Sequence, residues 1–170
     1  MLSRRGTDVG GSGHDGSGPR SRGGPDIAPW PAGAGRAHAQ PVKVLLVESD
    51  AHGADDAAAR LRRAGHLVER CHEPGLPAFP CNALLRGGAC PLEGGDVDVA
   101  VVVRSRPWPR PSTLEDGVVC ALRRGVPLVV AGRTILNPYE DWAAVVVDGV
   151  EGVVEAVERA AGTPPAPGDT

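Results

Sequence analysis

The sequence predicts one α/β domain: a five-stranded parallel sheet wound with helices on both faces. Three observations carry this. Five short runs of Val, Leu and Ala recur across residues 42–161, and each is continuous rather than alternating, as a strand covered on both faces should be. Segments with apolar residues at helical spacing separate most of them. Glycines close these helical segments where a C-cap favours them. A chain of 170 residues supports one core of this kind rather than two.

The elements follow in order. Lys43–Glu48 (KVLLVE) predicts the first strand. Residues 52–64 predict a helix with Ala54, Ala57, Ala58, Leu61 and Ala64 on one face and arginines on the other, closed by Gly65. His66–Cys71 (HLVERC) predicts a second strand. Residues 73–97 break the pattern with a Cys-, Pro- and Gly-rich insert. Asp98–Val103 (DVAVVV) predicts the third strand, Thr113–Arg124 a helix closed by Gly125, and Val126–Ala131 (VPLVVA) the fourth strand. A short helix is expected over 137–142 and a fifth strand over Ala143–Val147. A final helix is expected over Val150–Ala161, with Val150, Val153, Val154 and Val157 at i, i+3, i+4 and i+7. Strands alternating with helices imply right-handed parallel crossovers. At this size the expected strand order is 2-1-3-4-5, with ligands at the carboxyl ends of the strands. Residues 48–52, 103–107, 132–134 and 147–149 form that edge.

Residues 1–41 read as a disordered tail. Ten of the 24 glycines lie there with Ser, Arg and Pro and no apolar period, so little buried surface is available to offset ordering entropy. Residues 162–170 (GTPPAPGDT) read as a second tail. The formal charge is −3, which gives no reason to expect nucleic acid or an anionic membrane as a partner. No apolar run approaches the roughly 18 residues of a membrane span, and the N-terminal arginines precede no apolar secretory core. The expected setting is therefore the cytoplasm, where lasting disulfides are rare. The expected partner is another protein, with the oligomeric state left open.

The segments VKVLLVESD, LRRAGHLVERC, DVAVVVRSRP and RRGVPLVVAGR together resemble the receiver domains of bacterial response regulators, which have a flavodoxin-like fold. The resemblance spans about residues 42–161, with 73–97 fitting poorly. In receivers an aspartate ending the third strand accepts a phosphoryl group, and an acid pair after the first strand holds Mg²⁺. A Thr or Ser after the fourth strand and a Lys after the fifth contact the phosphoryl oxygens. Carried over by position, Glu48 matches the first acid and Ser49 stands for the second. Val103 stands at the acceptor, beside Arg104. Gly132 replaces the hydroxyl, and Val146 or a neighbour in 145–148 replaces the lysine. Valine has no nucleophile, so the resemblance implies a degenerate receiver that cannot be phosphorylated and has no catalytic residues.

Two ligand sites remain open at this level. Arg104, Arg106 and Arg133, with Arg110 nearby and Glu48 at the first strand's end, are candidates for an anion pocket, since guanidinium suits phosphate and carboxylate. The same arginines could instead pair with Glu48, Asp50 or Glu115. Cys71, His72, Cys81 and Cys90 supply a candidate Cys₃His set for Zn²⁺, although the paired C-x₂₋₄-C spacing is missing. A redox pair or buried packing thiols fit the same residues. Cys120, among Val118, Val119 and Leu122, reads as core. A metal- or redox-sensing module on 71–90 is therefore the alternative function. Asp50-Ala51-His52-Gly53-Ala54-Asp55 also resembles the start of the D-x-H-x-x-G motif of cobalamin-binding domains, with Asp55 where the glycine belongs, Ser105 near the strand-three serine position and Ala131-Gly132 for a paired glycine. That gives a second alternative in which His52 ligates a cobalamin-type cofactor.

Overall fold

A computed structural model describes residues 40–81, 83–84, 89–132 and 135–162. The expected tails, apart from residues 40–41 and 162, lie outside the described residues, as does Arg133. The sheet is five-stranded and parallel in the order β2-β1-β3-β4-β5. Its strands are β1 (Lys43–Glu48), β2 (Leu67–Glu69), β3 (Val99–Arg104), β4 (Leu128–Gly132) and β5 (Ala143–Asp148). Three helices are described: α1 (Asp55–Arg63), α2 (Asp116–Arg123) and α3 (Val153–Ala161). This is the flavodoxin-like α/β arrangement expected from the alternation of apolar runs.

Period-two alternation divides the central strands between two cores. Val44, Leu46, Val99, Val101 and Val103 face α1 and α3, while Leu45, Val47, Ala100, Val102 and Val130 face α2. Each fully buried Val or Leu is worth about 1.5–3 kcal/mol, so β1, β3 and β4 anchor the domain. On the second face Leu92 and Val97 from the connection between β2 and β3 complete the cover, with Cys71 and Cys90 packed against it.

Element ends depart from expectation for local reasons. α1 starts at Asp55 rather than residue 52 because His52 has a left-handed backbone (φ 61°). α2 starts at Asp116 rather than Thr113. Ahead of it the Glu115 carboxylate accepts the Ser112 N–H at 2.6 Å and closes a turn. β4 begins at Leu128 because the Val126 N–H is spent on the Ala121 carbonyl and Pro127 has none. α3 begins at Val153, after Gly149 turns the chain at φ 83°. β2 is reduced to three residues, and the 137–142 segment yields only a 3-10 turn, Glu140–Trp142. Cys120 is exposed rather than core. The buried stripe of α2 runs through Gly117, Val118 and Ala121, and helical phase carries residues 119 and 120 off it whatever their sequence neighbours.

Candidate functional site

The carboxyl ends of β1, β3 and β4 converge where the topology places ligands. β1 and β3 run in register, with Glu48 beside Val103, and β3 and β4 pair Arg104 with Gly132. The Ser49 N–H extends this ladder by donating to the Val103 carbonyl at 3.0 Å. Val103 is buried in the α1/α3 core, so the position matched to a phosphoacceptor carries packing and no chemistry.

Arg104 follows on the opposite face of β3. The sequence left it open between an anion pocket and pairing with Glu48, Asp50 or Glu115. Its side chain is fully buried, because the pleat turns it under the sheet edge toward α2, and Glu115 is the partner. Its Nη1 donates to Glu115 Oε1 at 2.5 Å and its Nη2 to the Trp108 carbonyl at 2.5 Å. Its guanidinium carbon lies 5.7 Å from the Tyr139 ring centroid, a cation–π distance. Glu115 is held on its other oxygen by Ser112. Burial raises the Glu115 carboxyl above its ordinary range, against the opposing pull of Ser112 and Arg104. One strand end, the 105–112 loop and the start of α2 are thereby fastened together.

Glu48 is also buried, but on the other side of the edge. It accepts the Gly75 N–H at 2.6 Å and lies 3.4 Å from Arg70 Nη1. Arg70 Nη2 in turn pairs with Asp55 at 2.9 Å. Arg106 is exposed and sits 3.4 Å from Asp50. The structure therefore separates Glu48, Arg104 and Arg106 instead of bringing them into one anion pocket, and each already has a carboxylate or guanidinium partner. Arg110 is exposed.

Asp50 is the unforeseen centre of the edge. Its Oδ2 accepts the Ser49 hydroxyl at 2.7 Å and the Ser105 hydroxyl at 2.5 Å. Partial burial works to raise its pKa. The two hydroxyls and the charges of Arg106 and Arg104 outweigh burial and hold the carboxyl below its ordinary value. Serines just after the first and third strands were the available signal, but only the topology places residues 49, 50 and 105 together.

A cleft of about 230 Å³ opens beside this network, lined among others by Gly53, Ser105, Gly132, Asp148 and Glu151. Gly132 and Gly149 exchange two backbone hydrogen bonds, at 3.2 and 3.1 Å. Gly132 has φ 104°, and a Cβ there would collide with the Arg104 carbonyl oxygen. The position matched to a receiver hydroxyl therefore cannot take Ser or Thr without moving the backbone. Asp148 ends the strand at which a lysine would be expected. Both side chains that bring charge to the mouth of the cleft from β5 and its turn, Asp148 and Glu151, are acidic.

Cys71 and Cys90 pack against the core face that α2 covers. Burial, the largest effect, pushes the Cys71 thiol's pKa up to about 11, and the charges of the Cys81, Cys120 and Cys90 thiolates would raise it further. The Cys71 sulfur packs against Gly117 of α2. His72 is buried, with Nδ1 3.1 Å from the Glu73 carbonyl and Nε2 3.1 Å from the Leu114 carbonyl. It thus faces backbone oxygens with both nitrogens rather than the thiols. Among the described residues no three His, Cys, Asp or Glu side chains are grouped as a metal ion requires. His52 is exposed, 3.2 Å from Asp55. No helix among the described residues is long and apolar enough to cross a membrane. No protein-family model, curated protein or solved structure matches the chain.

Proposed function

We propose that this chain is a receiver-like regulatory domain that cannot be phosphorylated and that acts by binding another protein. The observation that carries the reading is the state of the β1/β3/β4 edge. Four of the five positions at which receiver chemistry needs a group are taken by packing or by an internal partner: Glu48 by Gly75 and Arg70, Ser49 by Asp50, Val103 by the core, and Gly132 by a backbone approach that excludes a side chain. The fifth, the lysine position, holds the apolar Val146. Such a fold retains a rigid sheet, but Val103 offers no carboxylate at the position where a receiver accepts the phosphoryl group. Its remaining asset is surface. The reading takes the chain as cytoplasmic, consistent with four unpaired cysteines.

A titration with Mg²⁺ to millimolar concentration, followed by amide NMR, tests the edge. Asp50 Oδ2 already accepts two hydroxyls, its Oδ1 faces Arg106, and Ser49 replaces the second acid, so residues 48–50 and 103–105 should not shift. Saturable shifts there would mean that the acid pair still works as a metal site.

A second reading is favoured by one specific observation: Cys71 and Cys90 pack against the same core face. It makes the 71–90 segment a zinc- or redox-sensing element. Metal content and intact mass of protein purified without added metal test it. Stoichiometric zinc or the loss of two hydrogens supports it, and unmodified thiols without metal sink it.

A further inference from the structure

The two edges of the sheet are treated differently. β2 is three residues long, and its neighbourhood is charged: Glu69 and Asp96 flank Lys43 at 3.2 and 2.6 Å. Short, charged edges resist pairing with other chains. β5 has none of these protections over most of its length. It is six residues, AAVVVD, with no Pro, Lys or Arg, and its one irregularity lies at its start, opposite Leu128/Val129. Among the described residues β4 is its only strand neighbour.

Among the described residues, no helix covers one face of β5. A doubly wound sheet ordinarily covers each crossover with a helix. Among the described residues the β4–β5 connection contributes only the Glu140–Trp142 turn. Ala144 is exposed and Val146 is 44% exposed, while Val145 on the opposite face is buried. Ile135, Leu136 and Trp142, from the same connection, are 72%, 59% and 60% exposed. Four large apolar side chains within twelve residues of sequence thus accompany an open strand edge.

Charge decides between occupants. Glu140 and Asp141 precede β5, and Asp148 and Glu151 lie at its other end, all exposed. A second copy pairing antiparallel through β5 would bring Asp148 of each chain toward the acidic 140–141 turn of the other, and like charges oppose that contact. A strand with basic ends meets attraction at both.

We infer that β5 is a docking edge for an extended segment of another protein, apolar at its centre and carrying Lys or Arg at both ends. The segment adds a sixth strand through main-chain hydrogen bonds, with its alternate side chains against Val146 and Trp142. This rests on the proposed protein-binding reading and supplies its surface and the chemistry of its partner.

The test uses the full chain and a synthetic peptide of alternating Val and Thr with two Lys at each end. Its control has Glu in place of Lys. The basic peptide should slow amide exchange along β5 and leave β2 unchanged, and the acidic control should bind more weakly. Charge reversal with Asp141→Lys and Asp148→Lys together should cut affinity for the basic peptide by about fivefold, as two exposed pairs would, and improve it for the control. Val146→Lys should weaken both peptides. No β5 protection at millimolar basic peptide overturns the inference. So does equal binding of the two peptides, or concentration-dependent β5 protection without peptide, which would make a second copy the occupant. Mg²⁺ binding at Asp50 would strike the proposed function and leave this result standing, whereas failure of the peptide arm leaves the non-phosphorylatable edge intact.

Discussion

Arg104→Met separates a structural arginine from a ligand-binding one. In the native fold the guanidinium is fully buried and satisfies one oxygen of Glu115 and the Trp108 carbonyl. Methionine fills similar space without the charge. It leaves Glu115 buried opposite an apolar group, with only the Ser112 N–H for compensation. Breaking one side of such a pair costs about 3–5 kcal/mol, a large part of the roughly 5–15 kcal/mol that holds a domain together. For a domain of this size that is a fall in Tm of roughly 10–25 °C. Urea unfolding monitored by circular dichroism measures it, with the slope checked for constancy. Removing both charges, Arg104→Met with Glu115→Leu, should recover most of the loss, because an apolar pair of similar volume replaces the ion pair without stranding a charge. If the single variant costs less than about 1 kcal/mol, or the double variant is as unstable as the single, Arg104 is not the buried fastener described above. The variant would then belong in an anion-binding assay instead.

The same carboxylate gives a pH signature. Glu115 has its folded pKa raised from 4.5, first by burial. Its contribution to stability is therefore fully present below the unfolded value and is lost as pH rises through the raised folded value. Glu115→Gln should flatten the decline in stability just above pH 4.5, and an unchanged slope in urea midpoints across that window would refute it. Asp50 works in the opposite sense: its pKa is lowered from 3.8, so its contribution is present above that value and lost as pH falls through the depressed one, a loss that Asp50→Asn should remove. Gly132→Ala should cost about 1–3 kcal/mol from its left-handed backbone alone, with the collision on the Arg104 carbonyl adding to it in thermal melts. With iodoacetamide at about pH 8, Cys120, exposed on α2, should be alkylated first. Cys71 should lag by orders of magnitude, since a thiol with a pKa of about 11 is only about 0.1% thiolate there; equal rates, followed by peptide mass spectrometry, would contradict its burial.

How far these features could be read from the sequence depended on their physical origin. The sheet order and the three described helices were legible because burial on both faces writes continuous runs such as VAVVV, and because helices write a 3.6 period. Arg104 could be read as an anion ligand or as a partner of Glu48, Asp50 or Glu115, because a charge directly after an apolar run looks like the end of a strand in water. The fold selects Glu115, eleven residues on, and buries the pair. A clue was present in Ser112-Thr113-Leu114-Glu115, the spacing at which a glutamate turns back onto a serine N–H, and Glu115 does so. The Ser49–Asp50–Ser105 contact needed the β1–β3 register, which no local pattern encodes. Cys120 was misplaced because apolar neighbours in sequence do not set helical phase. The face of β5 that no described helix covers was hidden because a short apolar run reads the same whether or not a helix covers it; here the run is Ala144-Val145-Val146-Val147, and of these only Val145 is buried.

The most direct test of the central claim is the intact mass of the protein after incubation with acetyl phosphate and Mg²⁺. With Val103 packed in the core and Asp50 held by Ser49 and Ser105, no mass should be gained, and Val103→Asp alone should not restore the reaction, because Ser49, Gly132 and the missing lysine leave metal and phosphoryl oxygens unsupported. An acid-labile gain of one phosphoryl group on the wild-type chain would contradict the account.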